Sequence, residues 1–338
     1  MSGKLVLVTG INGFIAGHTT EHLLEKGYRV RGTARGEKFQ KLVDTVHRTG
    51  LEFVRIDDVA TADFTEALKG VDVVLHMACP LAGKKGLDET FKTAIDGTIN
   101  LARQAQKAGI RKIVATSSFG ALISPSFDKV FGGYVLSESD WGQVSDDEFE
   151  QNKNNPYYIY FTAKARMEKA LLEFGKAHPE LDLITVVPGY VHGPYARTFP
   201  LPRSVAELGT NETIYQILQG GAVPPAPNWL VDVRDVAKGH ILALEASNLP
   251  ADKKRFIVNA GTYTWKEAAE HLKKSRPALR DHIQPLEQIG DLPAPSSHLD
   301  NTRSMELLGL ADYISQENML DDTVDDLLML EKLWTGGN

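Results

Sequence analysis

The sequence predicts an α/β protein, a doubly wound parallel sheet followed by a smaller C-terminal domain. Three observations carry that reading. Short apolar runs alternate with helical patterns from Leu5 to about Val187, as in strands joined by crossover helices. The first run ends in a glycine turn that opens directly into a helical pattern. After Pro194 the alternation breaks, and proline and glycine become frequent. The expected division is residues 1–190 and 191–338, with the segment at about 229–258 returning to the first part.

Residues 5–8 are apolar throughout and stop at Thr9-Gly10, as a strand buried on both faces does. Gly10-Ile11-Asn12-Gly13-Phe14-Ile15-Ala16-Gly17 follows, then a helix through Leu23 and Leu24. Strand, glycine turn and helix is the layout that holds a pyrophosphate at a helix N-terminus. Gly10 permits the tight turn, Gly13 lets a phosphate approach the backbone, and Ala16 keeps helix and strand close. The spacing is G-x-x-G-x-x-A rather than G-x-G-x-x-G. A dinucleotide is expected here, on Gly10, Asn12, Gly13, Phe14 and Ile15.

Residues 28–35 read as the second strand, whose end should face the adenosine ribose. An acid there suits a 2′-hydroxyl and an arginine a 2′-phosphate. Arg35 stands at that end, with Lys38 and Lys41 just after it. Its planar fork matches phosphate, so NADPH is expected over NADH, with Arg35 and Lys38 as contacts. Residues 51–56 and 71–78 are the third and fourth strands, the latter ending at Cys79-Pro80, with a short helix at 64–70 between them. Asp58 and Val59 would flank adenine. Met77 and Ala78 would lie along the pyrophosphate and ribose. A long helix spans 89–108, and the fifth strand, 111–118, ends in Thr116, Ser117 and Ser118.

Residues 119–156 are an irregular excursion of the kind that builds a site wall or lid. The acidic run at 145–148 reads as a solvated helix start. A sixth strand at 183–187 leads to Pro188-Gly189-Tyr190-Val191-His192-Gly193-Pro194, where Pro188 and Val191 could seat a nicotinamide ring. Pro200, Pro202, Gly220-Gly221, Pro224-Pro225 and Pro227 mark a looped segment over the crevice. Residues 229–233 and 256–258 look like strands returning to the main sheet, with a helix at 235–244 between them. Amphipathic helices are expected at 264–274 and 317–333.

The chemistry is suggested by Tyr160-Phe161-Thr162-Ala163-Lys164. In a helix, Tyr160 and Lys164 lie one turn apart on one face. An ammonium favours phenolate and would lower the phenol from its usual value of about 10 towards the working pH. Such a phenol can give a proton to a carbonyl oxygen as hydride arrives at carbon. Ser118, with Ser117 as its backup, could hold that oxygen. His18-Thr19-Thr20-Glu21-His22 has metalloprotease spacing, but it falls in the first helix, whose inner face must pack on the sheet. No metal is expected.

The 338 residues suffice for one large or two modest domains. The net charge of −7 argues against a nucleic-acid binder. Cys79 is the single cysteine, so an intrachain disulfide and a cysteine-rich zinc site are excluded. No signal-peptide run or membrane-length apolar stretch is seen. The expectation is a soluble cytoplasmic protein, monomer or homodimer, acting on a small molecule.

With these motifs in view, the chain resembles the extended short-chain dehydrogenase/reductases, a Rossmann-type family. It is most similar to the fungal NADPH-dependent aldehyde and carbonyl reductases of the methylglyoxal type and to plant dihydroflavonol reductases. The resemblance implies that Ser118 orients a substrate carbonyl, Tyr160 donates the proton, and Lys164 binds the nicotinamide ribose while tuning Tyr160. It implies a substrate-binding role for the C-terminal domain and cofactor contacts from Thr116 and Ser117. Phe119, Tyr157, Tyr195 and Phe199 are the expected pocket walls. Two other readings stay open: a non-enzymatic NADP-sensing protein, and an NAD-dependent nucleotide-sugar epimerase or dehydratase, which Arg35 disfavours.

Overall fold

The structure is a computed structural model that describes residues 3–79, 82–221, 223 and 229–336. Pro80, at the end of the fourth strand, and the expected Pro224, Pro225 and Pro227 stretch lie outside the described residues. The chain begins β1 (Leu5–Thr9), α1 (Phe14–Glu25), β2 (Arg29–Ala34), α2 (Gly36–Thr45), β3 (Leu51–Arg55), α3 (Thr65–Leu68) and β4 (Val73–His76). It continues with α4 (Leu87–Phe91), α5 (Gly97–Lys107), β5 (Lys112–Thr116), β6 (Val135–Leu136), α6 (Asp146–Asn152), α7 (Pro156–Ala177), β7 (Asp182–Pro188) and β8 (Tyr190–His192). The last part holds α8 (Glu212–Leu218), β9 (Leu230–Asp232), α9 (Val233–Glu245), β10 (Arg255–Val258), α10 (Trp265–Ser275), β11 (His298–Leu299), α11 (Thr302–Leu308) and α12 (Gln316–Thr335).

Seven strands form one sheet in the order β10-β7-β5-β4-β1-β2-β3, and every neighbouring pair is parallel. The strand period of two sorts the apolar side chains between the faces. Leu5 and Leu7 pack with Leu101, Ala105 and Leu171 on one side. Val6 and Val8 pack with Leu23, Val30 and Val236 on the other. Full burial of each such chain contributes roughly 1.5–3 kcal/mol. The strand order reverses between β1 and β4, so their carboxyl ends open a crevice at the switch point.

Two expected elements differ. The helix at 89–108 is interrupted by a wider π turn at Lys92–Asp96. Just beyond it Gly97 lies so close to the β3–α3 connection that a Cβ there would fall 2.5 Å from Val59 Cγ2. Residues 229–233 do not return to the main sheet. β9 instead pairs with β8 in a separate two-stranded sheet, because β10 already occupies the edge beside β7. The excursion after β5 is tied to the C-terminal part through β6, which pairs with β11. A second core, with Ile214, Ile217, Trp265, Leu272, Leu320 and Leu327, joins α8, α10 and α12.

Candidate active site

The glycine turn closes β1 onto the end of β4. Gly10 has φ +66°, and a Cβ there would sit 3.0 Å from Ala78 Cα, so only glycine fits both the conformation and the approach. Gly13 N–H donates to Gly10 O at 2.8 Å. Gly13 caps α1 without a side chain, which leaves the first-turn amides of the helix to an incoming anion. Ala16 is buried against the strand. Thr9 Oγ1 accepts from the amides of Met77 (3.0 Å) and Ala78 (3.1 Å) and lies 2.8 Å from His76 Nδ1. With both amides on its lone pairs, the Thr9 hydroxyl must donate to Nδ1. His76 then carries its proton on Nε2, facing Thr98 Oγ1 at 2.9 Å. Burial, and then the charge of Lys164, push His76 down to about 4. It is a neutral relay that fixes Met77 and Ala78 along the crevice.

At the adenosine end, Arg35 is 56% exposed in its side chain, and its nearest carboxylate, Glu89, is 3.7 Å away. Glu89 is already paired with Lys85 at 2.6 Å. Arg35 and Lys38 line a recess of about 340 Å³ with Gly36, Glu37 and Asp57. The Asp57 charge is met by Arg55 at 2.8 Å and by the Gly36 amide. The Asp58 carboxylate is spent on Lys92 (2.7 Å), the Ala60 amide and the Thr61 hydroxyl, so only the remainder of Asp58 and Val59 is left for an adenine. Two cations at the end of β2 and an uncapped helix start fit a phosphorylated dinucleotide.

The end of β5 meets α7 across the crevice. Asn155 caps the first turn of α7, and Pro156 stands at its start. Tyr160 and Lys164 share one face, with Lys164 Nζ 5.9 Å from the Tyr160 ring centre. Lys164 Nζ donates to Thr116 O at 3.1 Å. The buried Ser118 hydroxyl accepts from Gly120 N at 3.1 Å and stands close enough to the Tyr160 phenol to act on it. Burial pushes the phenol above its ordinary value, while Lys164 and Ser118 pull the other way without overcoming it. The ammonium therefore moderates this shift rather than producing the net lowering expected. Burial also works against the charge of Lys164, but Cys79 and Tyr160 outweigh it and hold the amine above its usual range. At neutral pH the pair is phenol and ammonium.

Several expected contacts sit elsewhere. Ser117 does not turn its hydroxyl to the crevice: it donates to buried Glu168 at 2.7 Å. The Thr116 hydroxyl bonds His240 at 2.8 Å, so Thr116 serves the crevice through its carbonyl. Phe199 is buried in the main core against Gly17 and is no pocket wall. Tyr195 packs on Phe14 at 5.0 Å and donates to Leu208 O, which places it beside the glycine turn. Phe119 is buried among Phe161, Trp229 and Tyr190. Tyr157 is 43% exposed, with Phe127 and Phe161 around its ring. Pro188 ends β7 in register with Val258, and Val191 is buried in β8. His18 bonds Pro194 O at 2.8 Å.

Two residues were missed. Tyr190 packs with Tyr160 against the cluster that holds Phe119 and Trp229, and its hydroxyl lies 3.1 Å from Thr213 Oγ1. Cys79 lies close enough to Lys164 to help hold its charge. Its place directly after the fourth strand was the available signal.

This sheet and crevice define a dinucleotide-binding α/β protein. The chain belongs to the NAD dependent epimerase/dehydratase family, which it matches over residues 6–261, in keeping with the resemblance to the extended short-chain dehydrogenase/reductases. It is 31% identical to the ketoreductase azaE of Aspergillus niger over 96% of this chain and 98% of that one. It is 30% identical to aldehyde reductase 2 of Sporidiobolus salmonicolor over 95% of each chain. The crystal structure of Gre2 from Candida albicans in complex with NADPH superposes with a TM-score of 0.80 at 29% identity, covering 97% of this chain and all of that one (100%). Among the described residues, no helix is long and apolar enough to cross a membrane.

Proposed function

We propose that the chain is an NADPH-dependent reductase of aldehydes and ketones, with Tyr160 as the proton donor. The observation that carries this is the convergence of the Ser118 hydroxyl, the Tyr160 phenol and the Lys164 ammonium at one point of the switch-point crevice. The ketoreductase and aldehyde reductase relatives, and the NADPH complex of Gre2, support the same reading.

Gly10, Gly13 and the start of α1 would hold the pyrophosphate, and Arg35 and Lys38 the 2′-phosphate. Bound NADPH would supply hydride to the carbonyl carbon. Ser118 and Tyr160 would hold the carbonyl oxygen, and Tyr160 would give it a proton as negative charge develops there. Lys164 stabilises the phenolate left behind. One of its protons is committed to Thr116 O, and the others remain for the phenol and a ribose hydroxyl. Tyr157 and Tyr190 would form the aromatic side of the substrate pocket.

Tyr160→Phe tests the assignment. NADPH oxidation by an activated aldehyde should fall by roughly 10²–10⁴-fold, the usual contribution of a positioned general acid. NADPH affinity should be retained. Unimpaired turnover in the variant would overturn the assignment.

A further inference from the structure

Behind the crevice one buried carboxylate gathers four elements. Glu168 lies on α7 two turns beyond Tyr160 and is fully buried. Its Oε2 accepts from Ser117 Oγ at 2.7 Å and Arg255 Nη2 at 3.0 Å. Its Oε1 accepts from Thr185 Oγ1 at 2.5 Å and Arg255 Nε at 3.0 Å. Arg255, at the start of β10, also donates to the carbonyls of Glu138 (2.8 Å) and Asp140 (2.6 Å), and its guanidinium lies 3.7 Å from the Trp141 ring centre. The carboxylate therefore ties α7 to β5 and β7, and through Arg255 to β10 and the excursion.

The pattern across the crevice is regular. Tyr160, Lys164 and Glu168 form one stripe of α7, spaced four residues apart. Three consecutive residues at the end of β5 each hold one member of it. Thr116 O takes Lys164, the Ser117 hydroxyl takes Glu168, and the Ser118 hydroxyl meets Tyr160. Ser118 directly follows Ser117, so the bond that pins Ser117 on Glu168 fixes the backbone from which Ser118 reaches towards the phenol, its own hydroxyl held by the Gly120 amide.

We infer that Glu168, clamped by Arg255, is a positioning residue for the Ser118, Tyr160 and Lys164 group, acting through Ser117. The inference rests on the reductase reading. It differs from a plain buried ion pair, which apolar residues of similar volume can replace. A stabilising pair would be dispensable for turnover once the fold is restored. A positioning pair would not.

The test uses the full chain with NADPH and an activated aldehyde, with Tyr160→Phe run in parallel. Ser117→Ala removes one bond and leaves the ion pair in place. It should lower kcat by roughly 10- to 100-fold, the scale of a small misplacement of reacting groups, with the NADPH KM and Tm little changed. The kinetic isotope effect with NADPH deuterated at C4 should rise as transfer becomes rate-limiting. Glu168→Leu combined with Arg255→Met removes both charges together. It should fold with a Tm near that of the parent yet keep the kcat defect. Full kcat in either folded variant overturns the positioning role. A Tyr160→Phe enzyme as fast as the parent overturns the Tyr160 assignment instead, and a parent enzyme that turns over no carbonyl compound overturns the reductase reading and the role that rests on it.

Discussion

At the end of β2 a single guanidinium stands half in solvent, with only a loose tie to Glu89. Its freedom gives Arg35 a measurable role. Charge-assisted hydrogen bonds contribute about 1.5–3 kcal/mol each, so Arg35→Ala should weaken NADPH binding by about 10- to 100-fold. NADH binding should change little. Titration of both cofactors by fluorescence checks this, and equal losses would remove the 2′-phosphate argument. Arg35, Tyr160 and Lys164 stood out as candidates because each is a required residue type at a position set by local pattern. Ser118 could only be ranked ahead of Ser117 as its backup, since a shift of one residue at a strand end reverses which side chain faces the crevice. Cys79 and Tyr190 come to Lys164 and Tyr160 from distant parts of the chain, and no local spacing announces that.

The helices show what periodicity reveals and what it hides. The run from 89 to 108 reads as one helix, and the π turn within it leaves no mark in the sequence. Gly97 begins the segment after that turn. Glycine to alanine inside a helix normally stabilises by up to about 1 kcal/mol. Here the added carbon would overlap Val59, so Gly97→Ala should destabilise by about 1–3 kcal/mol, as overpacking does. Thermal unfolding measures it, and Val59→Ala should restore the loss. A raised Tm in Gly97→Ala alone would contradict the packing argument. The strand at 229–233 was legible as a strand but not as a partner of β8. An apolar run records burial, whereas its neighbour depends on which sheet edge is still open.

Across the whole molecule, four imidazoles among the described residues are buried, His18, His76, His192 and His240, and burial lowers each of them. Burial pushes His76 and His240 down to about 4 and His192 to about 3. In the unfolded chain each would take up a proton near 6.5. The folded state therefore binds fewer protons, and stability is fully present above about pH 6.5. It is lost as pH falls towards 4, at about 1.4 kcal/mol per pH unit for each group. Asp235 acts in the opposite sense, because burial raises it to about 6 and its contribution is lost as pH rises through that value. Glu138, also raised by burial, acts in the same sense as Asp235, but four imidazoles outweigh two carboxyls, so urea midpoints should fall steeply between pH 6.5 and 4.5. A flat profile there would show that the imidazoles are not buried as described. The α/β alternation was legible because each strand announces itself locally, whereas the second core, built from α8, α10 and α12, could be read only as separate helices. One edge strand of the main sheet, β10, is made of residues 255–258. A ribosome must therefore deliver most of the chain before that edge can close. Until then β7 presents an open row of amides and carbonyls, and Glu168 has no counter-ion. A nascent chain halted near residue 190 would carry that unpaired edge, a template for pairing with another chain.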